Sequence, residues 1–376
     1  MRIGVSVCYN PFRNHAREVT EEMGGDQVVR ILAVDVGAGT QDVLLYESDR
    51  PIENCVKLVV PSQTVVVARK IARATREGRD VALVGNIMGG GACTWAVKEH
   101  LAAGFKVYAT SQAARTLHDN LDYVRAMGVS FVDWPPDDAV IIQTGDIDLR
   151  AYVQALGAFE TRLPSLFAVA VQDHGESPHL SNREFRFEHL RRFLESGGDL
   201  VDLVYREVPS YLTRMRAVQH DVPGALLMDT GPAAIWGALL DGVVSSYDEE
   251  GLIVVNVGNA HTLGALVQRR RILGLFEHHT ESMDSQKLDS YVRRLREGTL
   301  AHEEVLEDGG HGCYVVPAYH RGPGFRFVSV TGPNRSMARG LGYHFAAPFG
   351  DMMLTGCFGL VAAVLEVEKL PARLVQ

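Results

Sequence analysis

The segment Ile31–Tyr46, ILAVDVGAGTQDVLLY, brings a carboxylate, two glycines and a hydroxyl together within a few residues. Apolar Ile31–Val34 end at Asp35, a Gly37-Ala-Gly39-Thr40 turn follows, and a second apolar run returns. This pattern predicts a buried strand, a tight hairpin and a second strand, because glycine supplies the positive φ values of such turns. Gly37 and Gly39 remove side chains, so that backbone N–H groups can approach an anion, and Thr40 adds a hydroxyl donor. Asp35, at the end of the first strand, is placed to hold a hydrated Mg²⁺ against phosphates. An ordinary hairpin with a capping aspartate would carry the same residues.

A second copy strengthens the chemical reading. Leu252–Val267, LIVVNVGNAHTLGALV, repeats the design, with Asn256 falling on Asp35 and Gly258 on Gly37. His261 and Thr262 take the place of the first turn's donors. Repetition at this separation predicts two homologous domains facing one another.

Further polar groups stand where strands are expected to end. Ala139–Gln143 runs into Thr144-Gly145-Asp146, and Leu166–Val171 into Gln172-Asp173-His174. Ligands collect at such ends in α/β proteins, so Asp146, Asp173 and His174 are candidates to activate a nucleophile or to contact a metal. Helix capping and turn formation would use the same residues. Gly89-Gly90-Gly91, ahead of a helix, suits either an anion or close packing over a sheet edge. A second chemistry is open to Glu277-His278-His279-x-Glu281 and Gly309-Gly310-His311, which with Asp173-His174 offer imidazoles and carboxylates for Zn, Fe or Mn. Adjacent histidines on a strand point to opposite faces, however, so His278 and His279 could hardly share one ion.

The elements needed to position these groups are legible in outline. A strand is expected at Cys55–Val60, a helix at Thr64–Gly78, strands at Val81–Val84 and Lys106–Ala109, and helices from Ala92 and Ser111. A three-strand meander followed by helix–strand units is the order of a ribonuclease-H-like fold. Glu176–Val222 is polar, arginine-rich and helical in pattern, and reads as an insertion. Asp229-Thr230-Gly231-Pro232 opens another helix, and the domain boundary is expected near residue 246. In the second half, Arg271–Phe276 completes a second meander, Met283–Leu295 is helical, and Phe325–Val330 is a strand ending in Thr331-Gly332.

These residues resemble the actin/sugar-kinase/Hsp70 ATPase superfamily. Ile31–Tyr46 is similar to its phosphate 1 motif, Leu252–Val267 to phosphate 2, and Val330-Thr331-Gly332 to the adenosine motif. The helices beginning at Asp229 and Asp351 resemble its two connecting helices. The chain from about Val29 onward also resembles a microbial family labelled pyruvate formate-lyase activating enzyme. The resemblance implies an α/β protein of two ribonuclease-H-like (actin-like ATPase) domains facing a nucleotide cleft, residues 29–245 (with the insertion at about 176–222) and 246–376. It implies ATP and Mg²⁺ as cofactors. Asp35 would hold the Mg²⁺–phosphate; Gly37, Gly39, Thr40, Gly258, His261 and Thr262 would cradle phosphates; and Gly332 would border the adenosine. Asn256 stands where the superfamily has aspartate, losing a charge but keeping a carbonyl acceptor. An ATPase or small-molecule kinase, a metal-dependent enzyme and a non-catalytic nucleotide-sensing switch all remain open.

Composition narrows the classes. The chain has 376 residues, enough for two domains, and a net charge of −9, which argues against a general nucleic-acid or membrane-surface binder. Arg269-Arg270-Arg271 reads as a solvated hairpin tip. No apolar run approaches a membrane span and residues 1–28 make a poor signal peptide, so a cytoplasmic location is expected, with a small-molecule substrate and a homodimer as candidate partners. Residues 1–28 carry no pattern and are expected to be a disordered extension. The cysteines, Cys8, Cys55, Cys93, Cys313 and Cys357, are scattered without paired spacing. A radical activase needs a tight three-cysteine motif for its iron–sulfur cluster, so the labelled activity is set aside.

Overall fold

The structure, a computed structural model, describes residues 28–177, 179–319, 324–371 and 374. Apart from Val28, the extension expected over residues 1–28 lies outside the described residues.

The chain enters through an antiparallel meander, β1 (Arg30–Val36), β2 (Thr40–Glu47) and β3 (Val56–Pro61). It then leaves this sheet for α1 (Gln63–Arg76), β4 (Val81–Gly85), α2 (Gly91–Ala102), β5 (Val107–Ala109), α3 (Ser111–Ala114), α4 (Leu121–Ala126), β6 (Val129–Phe131) and β7 (Val140–Thr144). Beyond α5 (Leu149–Gly157) it returns as β8 (Leu166–Val171), parallel to β1. Helices α6 (Asn182–Glu195) and α7 (Thr213–Asp221) lead to β9 (Leu226–Met228), and α8 (Thr230–Ala238) and α9 (Gly242–Ser245) close this half. The sheet order is β3-β2-β1-β8-β9, the ribonuclease-H arrangement of a meander extended by parallel strands.

The second half repeats it. Strands β10 (Leu252–Val257), β11 (His261–Gln268) and β12 (Arg271–His279) form the meander. They are followed by α10 (Ser285–Glu297), α11 (His302–Glu307), β13 (Gly312–Val315), β14 (Val328–Thr331), β15 (His344–Phe345) and α12 (Thr355–Val367). The order is β13-β12-β11-β10-β14-β15, with β14 and β15 parallel to their neighbours. The fold is therefore the α/β pair of ribonuclease-H-like sheets that the actin-like resemblance implies.

The structure corrects one expectation. Strands β4–β7 do not extend the first sheet: they form a parallel sheet of their own, ordered β6-β5-β4-β7, with its own core around Val67, Leu83, Val97 and Ile142. Helix–strand alternation specifies parallel pairing but not which sheet is joined. The stretch 176–222, expected to be an insertion, carries the helices α6 and α7 between adjacent strands β8 and β9. Arg269 and Arg270 do form the turn between β11 and β12, with φ of 51° and 60°.

Helices α8 and α12 pack on one another between the two sheets. Ile31, Ala33 and Leu44 from the first sheet share a core with Leu252, Val254 and Ala265 from the second, with Ile235 of α8 and Phe358 of α12 among them. The crossing is set by glycine. A Cβ on Gly237 would lie 1.8 Å from the Thr355 carbonyl oxygen, and one on Gly359 2.0 Å from that of Ala233. Backbone cannot yield as a side chain does, so Gly359→Ala should lower stability by about 1–3 kcal/mol in denaturant unfolding. Gly157→Ala, with open space at its Cβ, should leave stability unchanged or raised, and equal effects at both positions would contradict the packing argument.

Candidate functional site

Both hairpins open onto one cleft between the halves, lined by Asp35, Gly37, Thr40, Asp42, Asp146, His174, Asn256, Gly258, His261 and Gly332 among others. The turns close in the same way: Gly37 N–H donates to Thr40 O at 2.8 Å, and Gly258 N–H to His261 O at 2.9 Å. The N–H groups of Ala38, Gly39, Asn259 and Ala260 make no hydrogen bond within the described residues. These tip amides, rather than that of Gly37, are the ones free to meet an anion. The tips also approach each other, the Asn259 side-chain Nδ2 lying 3.7 Å from where a Gly39 Cβ would stand.

Asp35 and Asp42 are direct partners in the β1–β2 register, so both carboxyls leave the sheet on the face toward α12. One oxygen of each, Oδ1, is buried with no hydrogen-bond partner among the described residues. Burial first, then the charges of Asp42 and Asp229, push the Asp35 carboxyl well above the usual carboxylate range. Burial and Asp351 raise Asp42 to about 7. Gly356, at the start of α12, makes room for the pair: its Cβ would lie 2.0 Å from Asp35 Oδ2. Asp42 was within the sequence segment quoted above, but its role depends on register, which composition alone does not give.

In the second hairpin Asn256 faces Leu263 instead of a carboxylate. Gly332, at φ +97°, lets its loop lie against this strand, since a Cβ there would meet Val257 O at 2.5 Å and Asn256 Oδ1 at 2.7 Å. The Pro333-Asn334 sequence has a local purpose: Asn334 N–H donates to Val257 O at 3.0 Å and its amide to Gly258 O at 2.9 Å, bracing the turn.

The other expected residues divide. Asp146 reaches the cleft wall, but its carboxylate is held by Arg214 through two bonds of 2.7 and 2.8 Å and accepts from Gly89 N–H. Asp173 lies behind the wall, and its two oxygens accept from Gly175 N–H at 2.8 Å and Met215 N–H at 2.9 Å. Both aspartates thus do the capping and pairing work that was the alternative to a role as base. Thr262 is fully buried, its hydroxyl paired with that of Thr280, so it does not face a phosphate. Gly89–Gly91 touch the cleft, and Gly90 is demanded by packing, as its Cβ would stand 2.5 Å from Thr116 O.

The histidines regroup. His278 is fully buried and bonds Asp308 at 3.1 Å instead of joining the cleft, and Glu281 is exposed. The rings of His174, His261, His279 and His311 gather at the inner face of the cleft. Burial pushes His174 well below its usual value, His261 down to about 4 and His311 down to about 3, with the Arg186 cation adding to each shift. Glu277 belongs to a different partner, Arg186, which donates to it at 2.6 and 2.7 Å and to Asp229 at 2.7 and 3.1 Å. Burial alone would raise Glu277, yet Arg186 and then His311 hold it below the ordinary carboxylate range. Arg186 was not singled out in the sequence; its partners are 43 and 91 residues away.

The raised Asp42 carboxyl has a measurable consequence. An unfolded aspartate titrates near 4, so between about 4 and about 7 the folded chain holds the extra proton and loses stability as pH rises. Melting temperatures in chelator-treated buffer should therefore fall across that window, and Asp42→Asn should flatten the slope. An unchanged slope in the variant would mean that the carboxyl titrates normally.

No curated protein matches the chain. Among solved structures it is similar to a ROK family transcriptional regulator, a homologue of the E. coli MLC protein, at 10% identity over 75% of this chain and 56% of that one, with a TM-score of 0.27. It thus spans little more than half of that regulator's length. It is also similar to the ethanolamine utilization protein EutJ from Carboxydothermus hydrogenoformans (12% identity, 90% of each chain, TM-score 0.28). A third likeness is to a ROK hexokinase from Thermus thermophilus (12% identity, 91% of this chain and all of that one, TM-score 0.31). These likenesses are too slight to carry an argument, and the fold assignment rests on the strand order above. A family model matches residues 88–337, well over half of the chain, and the protein belongs to that family, described as "Putative pyruvate format-lyase activating enzyme (DUF1786)".

Proposed function

We propose that the cleft binds ATP with Mg²⁺, and that the chain hydrolyses it or passes its γ-phosphate to a small molecule. The observation that carries this reading is the pair of equivalent hairpins, closed by the same bond and presenting unmatched tip amides to one cleft. Opposed amides of this kind suit a chain of phosphates, which neutral donors bind without the cost of burying a cation. Asp35 and Asp42 fit a magnesium ion: two oxygens are without partners, and the adjacent carboxyls, which hold protons because burial and neighbouring carboxylates disfavour their charges, would ionise beside a divalent cation. Bound there, Mg²⁺ would neutralise phosphate charge.

The protein's own groups would do the rest. Thr40 and the tip amides of both turns would hold the phosphates, Asn256 would accept from the metal's water shell in place of an anion, and Gly332 would let the nucleoside lie against backbone. Asp146 and Asp173 are engaged elsewhere, so the orientation of an attacking water or hydroxyl would fall to the imidazole cluster at the inner end of the cleft, to which His174 belongs. The activity in the family's description is not supported by the cysteines: among the described residues, Cys55, Cys93, Cys313 and Cys357 are buried free thiols well separated in sequence.

Calorimetry with ATP, with and without Mg²⁺, tests the reading. Saturable binding should require Mg²⁺ and weaken roughly tenfold or more in Asp35→Ala, the loss of one charge-assisted contact. Binding that Asp35→Ala leaves intact would place the nucleotide elsewhere, and none at millimolar ATP would remove the proposal.

A further inference from the structure

The imidazoles at the inner end of the cleft are more closely gathered than ring packing needs. His174, His261 and His311 stand with ring centroids 4.9–5.5 Å apart, and a ligand nitrogen of each lies within 4.8 Å of the other two. His174 follows β8 in the first half, whereas His261 opens β11 and His311 precedes β13 in the second. Both ring nitrogens of His261 and of His311 are buried without a hydrogen-bond partner among the described residues. An imidazole carries a donor and an acceptor, and burying both unmatched, in two neighbouring rings, is costly unless something occupies the space between them.

We propose that His174, His261 and His311 bind a divalent transition-metal ion of the Zn²⁺ or Co²⁺ class. Metal–nitrogen bonds of about 2.0–2.1 Å set the nitrogens of a tetrahedral site about 3.3 Å apart, against the 4.8 Å within which the three nitrogens lie here, so the rings would draw in on binding. Three nitrogens and no carboxylate favour such an ion over Mg²⁺, so this site differs in kind from the pair Asp35 and Asp42. The Glu277 Oε2 lies 3.9 Å from His311 Nδ1, but Arg186 already holds that carboxylate, an outer-shell position. His311 is fully buried while His174 and His261 line the cleft, so the coordination position left open faces the cleft, as in sites that activate water. The ion would also join the two halves. Metal binding does not require the nucleotide reading, although His261 belongs to the second hairpin.

The test uses the full chain, stripped with chelator, offered Co²⁺ or Zn²⁺, desalted and assayed for bound metal and for the ligand-field absorption of Co²⁺. Wild type should retain a stoichiometric ion with the spectrum of nitrogen ligation. His174→Gln and His311→Ala should weaken retention by roughly a hundredfold or more, beyond the loss of an outer-shell partner, while His278→Asn retains the ion. If circular dichroism shows His311→Ala unfolded, His174→Gln decides, since that ring is at the cleft wall. Folded wild type that retains no ion, or variants that retain it equally, would overturn the proposal and leave water as the occupant. Metal retention and ATP binding measured separately on wild type distinguish the two readings: nucleotide bound by protein that retains no metal overturns only the metal site, and metal retained without nucleotide binding overturns only the cleft assignment.

Discussion

The arrangement of the cleft depends on the guanidinium of Arg186. It is 4% exposed and lies between Asp229, the cap of α8, and Glu277 of β12, while donating also to the carbonyl of Asp173. It therefore ties the end of β8, the start of α8 and the second sheet to one planar group. Buried charges of this kind hold together only when every partner is present, and removing one leaves the others desolvated and unmatched. The geometry matters more than the net energy. Asp229, so fixed, caps Gly231 N–H, and α8 then meets α12 at glycines that fix where Asp35 sits.

The two halves share a frame but differ in charge. The same register position holds Asp35 opposite Asp42 in the first hairpin and Asn256 opposite Leu263 in the second. Unmatched carboxylates gather on one side of the cleft and unmatched imidazoles on the other. A polyanion with a hard cation suits the first side, and a nitrogen-ligated ion suits the second. Such a division would let one cleft hold a triphosphate and orient a nucleophile beside it, without either aspartate that the sequence suggested as a base.

Much of the frame was legible because its signals are local. A run of apolar residues, a polar end and a glycine turn occur twice, and the strand order follows from the meander and the helices after it. What depends on distant pairing was not legible. Asp42 became part of the site through its register with Asp35, and Arg186 through partners in three separate elements. His174, His261 and His311 meet only because two sheets close on each other. The four-stranded sheet of β4–β7 was missed for a related reason: its strands read correctly one by one, while the sheet they join is a long-range property.

The central claim is that both hairpins grip one ligand. Amide hydrogen exchange, with and without a non-hydrolysable ATP analogue and Mg²⁺, follows the segments 36–41 and 257–262 separately in the same sample. The account predicts that both become protected together, because tip amides from each turn meet the same phosphates. Protection of one segment alone, or of neither while the analogue binds, would contradict it.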